Sequence, residues 1–336
     1  MKGSRSNGFT LLELLVAVTI TLVLAGIMLA VTTGTLSLWR RAQDNFSANT
    51  QAKLALDMIE RDLETACCRK DAIGTVWLAV DVISSPGGLS NHGWQLAPMM
   101  KPATIDSQRL LPDPVNGVAP NISEARFGLS GAWLRFIGTN LEATGSIPVA
   151  ISYQLARRPV SGTNVTMTNP ADVQYTLFRS AVATDNTFAS GNSVVAAAYG
   201  SSSPTSSTAR TAATLTNPNT TGDTLATNVV DFGVWLYVRD AAGGLKRIYP
   251  ADNFDLAHAA TDAMAPGDSN RFPEVADVML RILTEEGARI IDAMENNPGT
   301  VARPANYTND SDWWWGVVEA NSRVFTRRVE IKGGAL

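Results

Sequence analysis

A long apolar stretch from Phe9 to about Leu36 constrains this chain more than any other feature, and Glu13 is its only charged residue. The segment from Phe9 to Val31 would give about 34 Å of helix, enough to cross a hydrocarbon core of about 30 Å. The stretch therefore predicts a membrane-spanning helix. A charge inside such a helix costs roughly 2.5–3.5 kcal/mol on insertion scales, so Glu13 needs a partner and is a functional candidate.

A short basic leader precedes the apolar stretch. It carries Lys2 and Arg5, contains no acid and ends in Gly8, so cleavage after Gly8 would leave a new α-amino group on Phe9. An ordinary secretory signal fits less well, because its apolar core is about 7–15 residues long and a small-x-small cleavage site follows it. A plain membrane anchor explains the length but does not explain Glu13 so close to the Gly8–Phe9 junction.

This arrangement resembles the type III signal of type IV prepilins and pseudopilins. That family has a basic leader, Gly, an aromatic first mature residue, Glu at the fifth mature position and then a long apolar run. Gly8, Phe9 and Glu13 fill those places here. The resemblance implies cleavage between Gly8 and Phe9 and N-methylation of Phe9 by a prepilin peptidase/methyltransferase. It also implies that Glu13 pairs with the Phe9 amine of a neighbouring subunit during assembly.

The same resemblance implies partners and a location. The partners are other pseudopilins or pilins bound through the N-terminal helix, an inner-membrane assembly platform and the lipid bilayer. The chain would be a single-pass inner-membrane protein with a cytoplasmic N-terminus and a periplasmic head, and later part of a pilus or pseudopilus. The net charge of −4 and pI of about 5.3 give no global basic surface, so no nucleic-acid partner is expected.

The sequence predicts an α+β fold, in which a long N-terminal helix packs on an antiparallel β-sheet head. The first proline is Pro86, and Ala52, Leu56, Ile59 and Leu63 recur at helical spacing, so the helix should continue to about residue 66 with one face on a core. A short helix is predicted at 285–294. Strands are predicted at 75–80, 132–137, 149–155, 175–179, 229–238, 245–249, 275–283 and 323–331.

Together with what the prepilin resemblance implies, these patterns divide the chain into four segments: a removed leader (1–8), a transmembrane half-helix (9–36), an amphipathic half-helix (37–66) and a β-rich periplasmic head (67–336). Two flexible insertions are predicted in the head. The first, at 84–121, contains six prolines, and the second, at 190–223, is rich in Ser, Thr, Ala, Asn and Gly. Such a composition buries too little apolar surface to offset the entropy of ordering.

The strand order is similar to that of one subgroup, the J-type minor pseudopilins of type II secretion and the related W-type minor pilins. The similarity implies a tip-proximal minor subunit. Alternatives are a minor type IV pilin for adhesion, motility or DNA uptake, and a membrane-anchored sugar-binding protein. A valine two residues after Pro273, instead of three, departs from the subgroup pattern. The matching segments are 153–155, 177–179, 234–238, 273–276 and 325–331.

Trp313, Trp314 and Trp315 are the most unusual feature outside the helix. Three consecutive indoles cannot all face one side of a strand. They either fill the core beneath the last strand, with one covering its edge, or contact a partner, because Trp is enriched at the energetic centres of protein interfaces. Stacked aromatic rings also bind sugars.

Enzyme motifs are missing from the sequence: it has no phosphate-binding P-loop, His-Glu-x-x-His zinc helix or Gly-x-Ser-x-Gly elbow. His92 and His258 lie in polar, turn-like sequence and are expected to be solvated. Cys67 and Cys68 are expected to pack at a helix end, although a vicinal disulfide or a metal site is an alternative. The sequence therefore predicts a non-enzymatic protein without a cofactor.

Several acids cluster in the second half of the chain. Some pseudopilin heads bind calcium through loop carboxylates, but nothing here has the spacing of a defined calcium loop. A solvated loop face is the expectation, and no metal site is predicted. The residues concerned are Asp252, Asp255, Asp262, Asp268, Asp310 and Asp312.

Overall fold

A computed structural model of the chain shows two compact units, Met1–Ser47 and Ala48–Leu336. Gly8, Phe9 and most of the predicted insertions at 84–121 and 190–223 lie outside the residues that it describes. Those residues are 10–69, 75–82, 101–102, 121–129, 131–142, 145–159, 173–182, 224–251, 257–261, 270–296 and 301–332, with single positions between 184 and 195.

The predicted long N-terminal helix is present as α1, Leu11–Glu64. In the first unit, Leu11–Trp39 is a 29-residue apolar span with a mean hydropathy of 2.8 and no buried residue. Its hydroxyls are satisfied locally: Thr21, Thr32 and Thr35 each donate to the carbonyl four residues earlier at 2.8 Å. The span is long and apolar enough to cross a bilayer.

In the second unit, α1 packs on the head from Ala48 onwards. The predicted stripe is confirmed, because Ala52, Ile59 and Leu63 are fully buried and Leu56 is 5% exposed. Its opposite face carries charge. The helix ends at Glu64, and Cys67 and Cys68 follow it as buried thiols that form no disulfide, as expected for two small residues packed at a helix end.

The head contains two antiparallel sheets, which confirms the α+β fold. In the described residues, the first sheet has the order β5-β4-β3-β2-β1-β8 and the second β10-β9-β6-β7. Two helices, α2 and α3, lie between β9 and β10 in the chain. The strands and helices are β1 Leu78–Val82, β2 Ala132–Glu142, β3 Gly145–Pro159, β4 Val173–Ala181, β5 Thr224–Thr227, β6 Val229–Arg239, β7 Leu245–Tyr249, β8 Ala257–Ala260, β9 Val275–Leu283, β10 Ser322–Glu330, α2 Glu285–Asn296 and α3 Asp310–Ala320.

The predicted hairpin of β6 and β7 is confirmed. The two strands pair antiparallel with a register shift at Leu236/Tyr237, and Gly243 in the turn has a φ of 83°, which favours glycine. The carboxylate of Asp240 accepts the amide N–H of Gly244 at 2.7 Å. The conformation of the turn is thus determined by the Asp240 side chain and by Gly243.

The expectation that His258 is solvated is wrong. His258 is 4% exposed on β8, which pairs with β1, and its Nε2 lies 2.9 Å from the carbonyl oxygen of Arg271. The pairing with β1 carries His258 into the interior, and the sequence did not reveal it because β8 has only four residues, three of them alanine. His92 lies outside the described residues.

Candidate functional site

The start of α1 holds Glu13 in a reciprocal capping box. Thr10 precedes the helix, and its hydroxyl accepts the Glu13 amide at 3.3 Å. In return, Oε2 of Glu13 accepts the Thr10 amide and the Thr10 hydroxyl, each at 3.0 Å. Such a box satisfies two of the amide groups that have no partner inside the helix.

The capping box gives Glu13 a local role in the isolated chain. All the bonds seen to its carboxylate reach Oε2, and no described residue donates to Oε1. Sequence reasoning identified Glu13 but missed Thr10, although the Thr10-x-x-Glu13 spacing before an apolar run is the usual sequence pattern of such a box. The carboxylate is therefore oriented by its own helix and still has one oxygen for a further partner.

A buried ionic contact holds α1 on the first sheet. Asp62, 8% exposed, accepts Arg179 Nε at 2.7 Å and Arg179 Nη2 at 3.1 Å. It also accepts the hydroxyl of Tyr153. Burial, and then the Asp62 charge, raise the pKa of Tyr153, so the phenol remains a donor. One helical carboxylate is thus bound to two neighbouring strands, β3 and β4.

A second, more exposed set of ion pairs joins α1 to the end of the chain. Arg327 pairs with Asp57 and, at 2.6 Å, with Glu60, and Lys332 pairs with Glu64 at 2.6 Å. These groups are partly solvated, so each pair contributes only about 0–1 kcal/mol. These ion pairs determine where the last strand lies along α1, and they add little to the stability of the head.

The three consecutive tryptophans lie on helix α3 and not on a strand. Asn309 caps this helix, with Oδ1 accepting the Asp312 amide at 2.8 Å. Trp314 and Trp315 are 4% and 3% exposed, whereas Trp313 is partly exposed. Successive helical residues point about 100° apart, so two indoles can enter the core while the third stays outside. Of the three tryptophans predicted as possible partner contacts, only Trp313 therefore has exposed surface that a partner could reach.

Trp314 belongs to a buried polar network. Glu295 of α2 accepts Trp314 Nε1 at 2.9 Å and the Tyr175 hydroxyl at 2.5 Å through Oε1, and Arg157 Nε at 2.9 Å through Oε2. Burial raises the pKa of the Glu295 carboxyl. The network ties α2 and α3 to β3 and β4, and every member has a partner.

Trp315 lies beside a buried ion pair. Lys101 Nζ donates to Asp231 Oδ1 at 2.8 Å and to the carbonyl of Phe127 at 2.6 Å, and it lies 5.5 Å from the Trp315 ring centroid. Asp231 Oδ2 accepts the Phe127 amide at 3.1 Å. Both charged side chains are completely buried. These contacts are structural, and nothing in them suggests a reaction.

The acids Asp310 and Asp312 belong to the first turn of α3. Asp310 pairs with Arg303 at 2.9 Å, and Asp312 Oδ2 accepts the Asn309 amide group at 2.9 Å. Acids in the first turn are favoured by the helix dipole. Their clustering in the sequence is explained by this helix start.

Comparison with known proteins agrees with the N-terminal geometry. The family profile described as the prokaryotic N-terminal methylation motif matches residues 3–29, which include most of the leader, the Gly8–Phe9 junction and Glu13. Neither a curated protein nor a solved structure matches the chain significantly.

A methylation motif, an apolar helix that can anchor in a membrane and an antiparallel β-rich head support a type IV prepilin-like protein. This class includes the pilins and the pseudopilins, whose members are structural subunits. The motif implies processing by a prepilin peptidase and assembly with other pilins.

Proposed function

We propose that the chain is a minor pseudopilin, a structural subunit near the tip of a type II secretion pseudopilus. It is made as a precursor, cleaved between Gly8 and Phe9 and N-methylated at Phe9. Residues 9–36 then lie in the inner membrane, 37–66 form the amphipathic half of the helix, and the head of 67–336 lies in the periplasm. The mechanism is assembly, and no enzymatic step is assigned to the chain.

One observation carries this proposal: a single carboxylate stands one turn into a span that is otherwise free of charge. A buried unpaired charge is strongly unfavourable, whereas a paired one is tolerated. The capping box leaves Oε1 of Glu13 for the Phe9 amine of a neighbouring subunit. The charge therefore selects the register between adjacent helices and adds little to stability.

A minor type IV pilin is the second candidate, because the methylation motif serves both kinds of filament. We favour the pseudopilin because the strand order and several segments resemble those of J-type subunits. Deletion of the gene separates the two: a pseudopilin is needed for export of folded enzymes, and a pilin is needed for adhesion, motility or DNA uptake. The sugar-binding alternative depends on the tryptophan cluster, and the burial of Trp314 and Trp315 argues against it.

Processing is tested by top-down mass spectrometry of the native protein from membranes. We expect a mature chain that begins at Phe9 and is one methyl group heavier than the unmodified sequence. Gly8→Val should block cleavage and retain Met1, because the residue before the cut must fit the peptidase. Gly3→Val in the same leader is the matched control and should mature normally. A native chain that begins at Met1, or at a residue beyond Phe9, would contradict the proposal.

A further inference from the structure

A cleft lies between the last two turns of α1 and the first sheet. Its helical wall contains Met58, Arg61, Asp62 and Thr65, which are spaced as residues on one face of a helix. Its other wall comes from β2, β3 and β4 and includes Arg179. The cleft has a volume of about 310 Å³, at the lower end of the roughly 300–1,000 Å³ of small-molecule sites. We call it the Arg61 cleft.

The two walls of the Arg61 cleft are held together without a ligand. Gly138 of β2 lets the end of α1 approach the sheet, because a Cβ atom there would lie 3.0 Å from the Thr65 hydroxyl oxygen. Just beyond the helix, the amide of Cys67 donates to the carbonyl of Ile137 at 2.9 Å. The contacts of Asp62 with β3 and β4 join the same walls. The cleft is therefore a fixed feature of the head.

The negative charge inside the cleft is already matched. Asp62 is the only carboxylate among the described residues that line it. Arg179 binds that carboxylate through Nε and Nη2, and the hydroxyl of Tyr153 donates to it as well. Asp62 and Arg179 therefore neutralise each other, and a ligand does not need to supply a cation for Asp62.

Arg61 adds a positive charge that is not matched in the same way. Its side chain is exposed and lines the cleft, and no described residue forms an ion pair or a hydrogen bond with it. The acids nearest to it along α1 are Asp57, Glu60 and Glu64, and all three bind the end of the chain. The described lining of the cleft thus carries one net positive charge.

Most of the remaining lining is apolar. It consists of Met58 from the helix, Val149 and Ile151 from β3 and Ala181 from β4, together with two threonines. A small inorganic anion would leave this surface uncovered, and a dianion would carry more charge than the cleft offers. A monoanion with an apolar body matches both the charge and the surface.

We propose that the Arg61 cleft binds a small organic carboxylate with an apolar body. The carboxylate pairs with the Arg61 guanidinium, a geometry for which the planar fork of arginine is suited. The body of the acid packs against Met58, Val149 and Ile151. A free acid and the C-terminal carboxylate of a peptide both offer this chemistry. The binding is a property of the head and does not depend on the proposed filament.

The test follows the methyl resonances of the full chain, labelled with [13C-methyl]Met in micelles of an uncharged detergent. N-acetylleucine should shift the Met58 resonance in a saturable manner. N-acetylleucinamide keeps the apolar body but lacks the charge, so it should bind about fivefold more weakly, the upper range for an exposed ion pair. Met58→Leu assigns the resonance. Met279, which is completely buried on β9 and outside the cleft, is the internal control and should not respond.

Variants of the cation sharpen the test. Arg61→Gln should lose the preference for the acid over the amide, and Arg61→Lys should restore part of it. Because Arg61 has no partner among the described residues, Arg61→Gln should unfold at the same denaturant concentration as the wild-type chain. Lys53→Gln removes an exposed cation of the same helix that lies outside the cleft, so it should leave the preference unchanged.

Two probes distinguish the sources of the carboxylate. Tighter binding of acetyl-Gly-Gly-leucine than of N-acetylleucine would assign the cleft to a peptide C-terminus, and the reverse would assign it to a free acid.

Three results would overturn the proposal: a Met58 resonance that ignores N-acetylleucine, equal binding of the acid and its amide, or an unchanged preference for the acid in Arg61→Gln. Correct maturation at Phe9 has no bearing on this experiment. Failure of the cleft and failure of the proposed function are therefore seen in different measurements.

Discussion

The ion pair of Lys101 and Asp231 is completely buried, so a change to either residue should have a large energetic consequence. Both side chains are fully buried, and each has a second contact, with the carbonyl and the amide of Phe127. Burial lowers the pKa of the Lys101 ammonium and raises that of the Asp231 carboxyl. An intact buried pair adds little net stability, but loss of one partner leaves an uncompensated charge.

Asp231→Asn should therefore destabilise the head by about 3–5 kcal/mol at neutral pH. The variant should recover stability as pH rises. Without Asp231 the folded chain holds the Lys101 proton more weakly than the unfolded chain, whose lysine pKa is about 10.4. The unfolded state then binds more protons, so the free energy of unfolding increases with pH until the ordinary lysine range is reached. Urea denaturation in micelles across this pH range measures the effect.

The double variant Lys101→Met/Asp231→Asn is the control for this pH dependence. It removes the titrating group, so the rise in stability with pH should disappear and much of the lost stability should return. If Asp231→Asn were as stable as the wild-type chain, or became less stable as pH rises, the burial of this pair would be contradicted.

At the scale of elements, the attachment of α1 to the first sheet depends on a carboxylate inside the interface. Asp62 binds Arg179 and Tyr153 and is nearly buried, whereas Asp57 on the same helix has a side chain that is 50% exposed and pairs with Arg327. Asp62 and Asp57 are the same residue type on the same helix, and they differ in how deeply they are buried.

Asp62→Asn should lower the free energy of unfolding of the head by about 1–3 kcal/mol, because a partly exposed guanidinium and a buried phenol lose a charged acceptor. Asp57→Asn should change it by about 0–1 kcal/mol, as for other exposed pairs. Chemical denaturation of the two variants side by side gives the comparison. Equal effects would show that burial of Asp62 does not matter.

Helix α3 positions Trp314 and Trp315, and its start depends on Asn309. Asn309→Ala removes the acceptor for the Asp312 amide and should cost about 0.5–2 kcal/mol. Asn306→Ala, three residues earlier in an exposed position, is the matched control and should be neutral. Near-UV circular dichroism during unfolding reports on the buried indoles. A destabilised Asn306→Ala with an unaffected Asn309→Ala would contradict this cap.

Elements with strong periodicity were predictable from sequence, and short or tertiary-dependent ones were not. The stripe from Ala52 to Leu63 predicted the buried face of α1, and β6, β7 and β9 appeared close to their predicted bounds. β5 and β8 have four residues each and form only because a neighbouring strand pairs with them. The sequence did not reveal helix α3, because the arrangement of its three indoles depends on Asn309 and on the partners of Trp314.

The candidate functional residues can also be separated into those predictable from local sequence patterns and those that depend on tertiary contacts. Local patterns identify Glu13 and would also have identified Thr10, because both belong to one capping box. The contacts between elements have no such pattern, since Asp62 meets Tyr153 and Arg179 only where α1 packs on β3 and β4.

At the scale of the whole molecule, the first unit presents an apolar span with no buried residue, and the second unit has its own core. Such a span must be covered by lipid or by neighbouring helices. A membrane would cover the apolar span before assembly, and the neighbouring helices of a filament would cover it afterwards. The proposed role of Glu13 is to determine, by pairing with the Phe9 amine, which subunit packs against this helix in the filament.

The most direct measurement is the amount of Glu13→Gln that is incorporated into sheared filaments. Glutamine can still serve in the capping box, so the helix start is preserved while the charge is removed. We predict normal cleavage and methylation at Phe9 but loss of the variant from the filament fraction, with Glu286→Gln on the exposed side of α2 incorporated normally. Incorporation of Glu13→Gln at the wild-type level would contradict the pairing of Glu13 with a neighbouring amine, and with it the central claim.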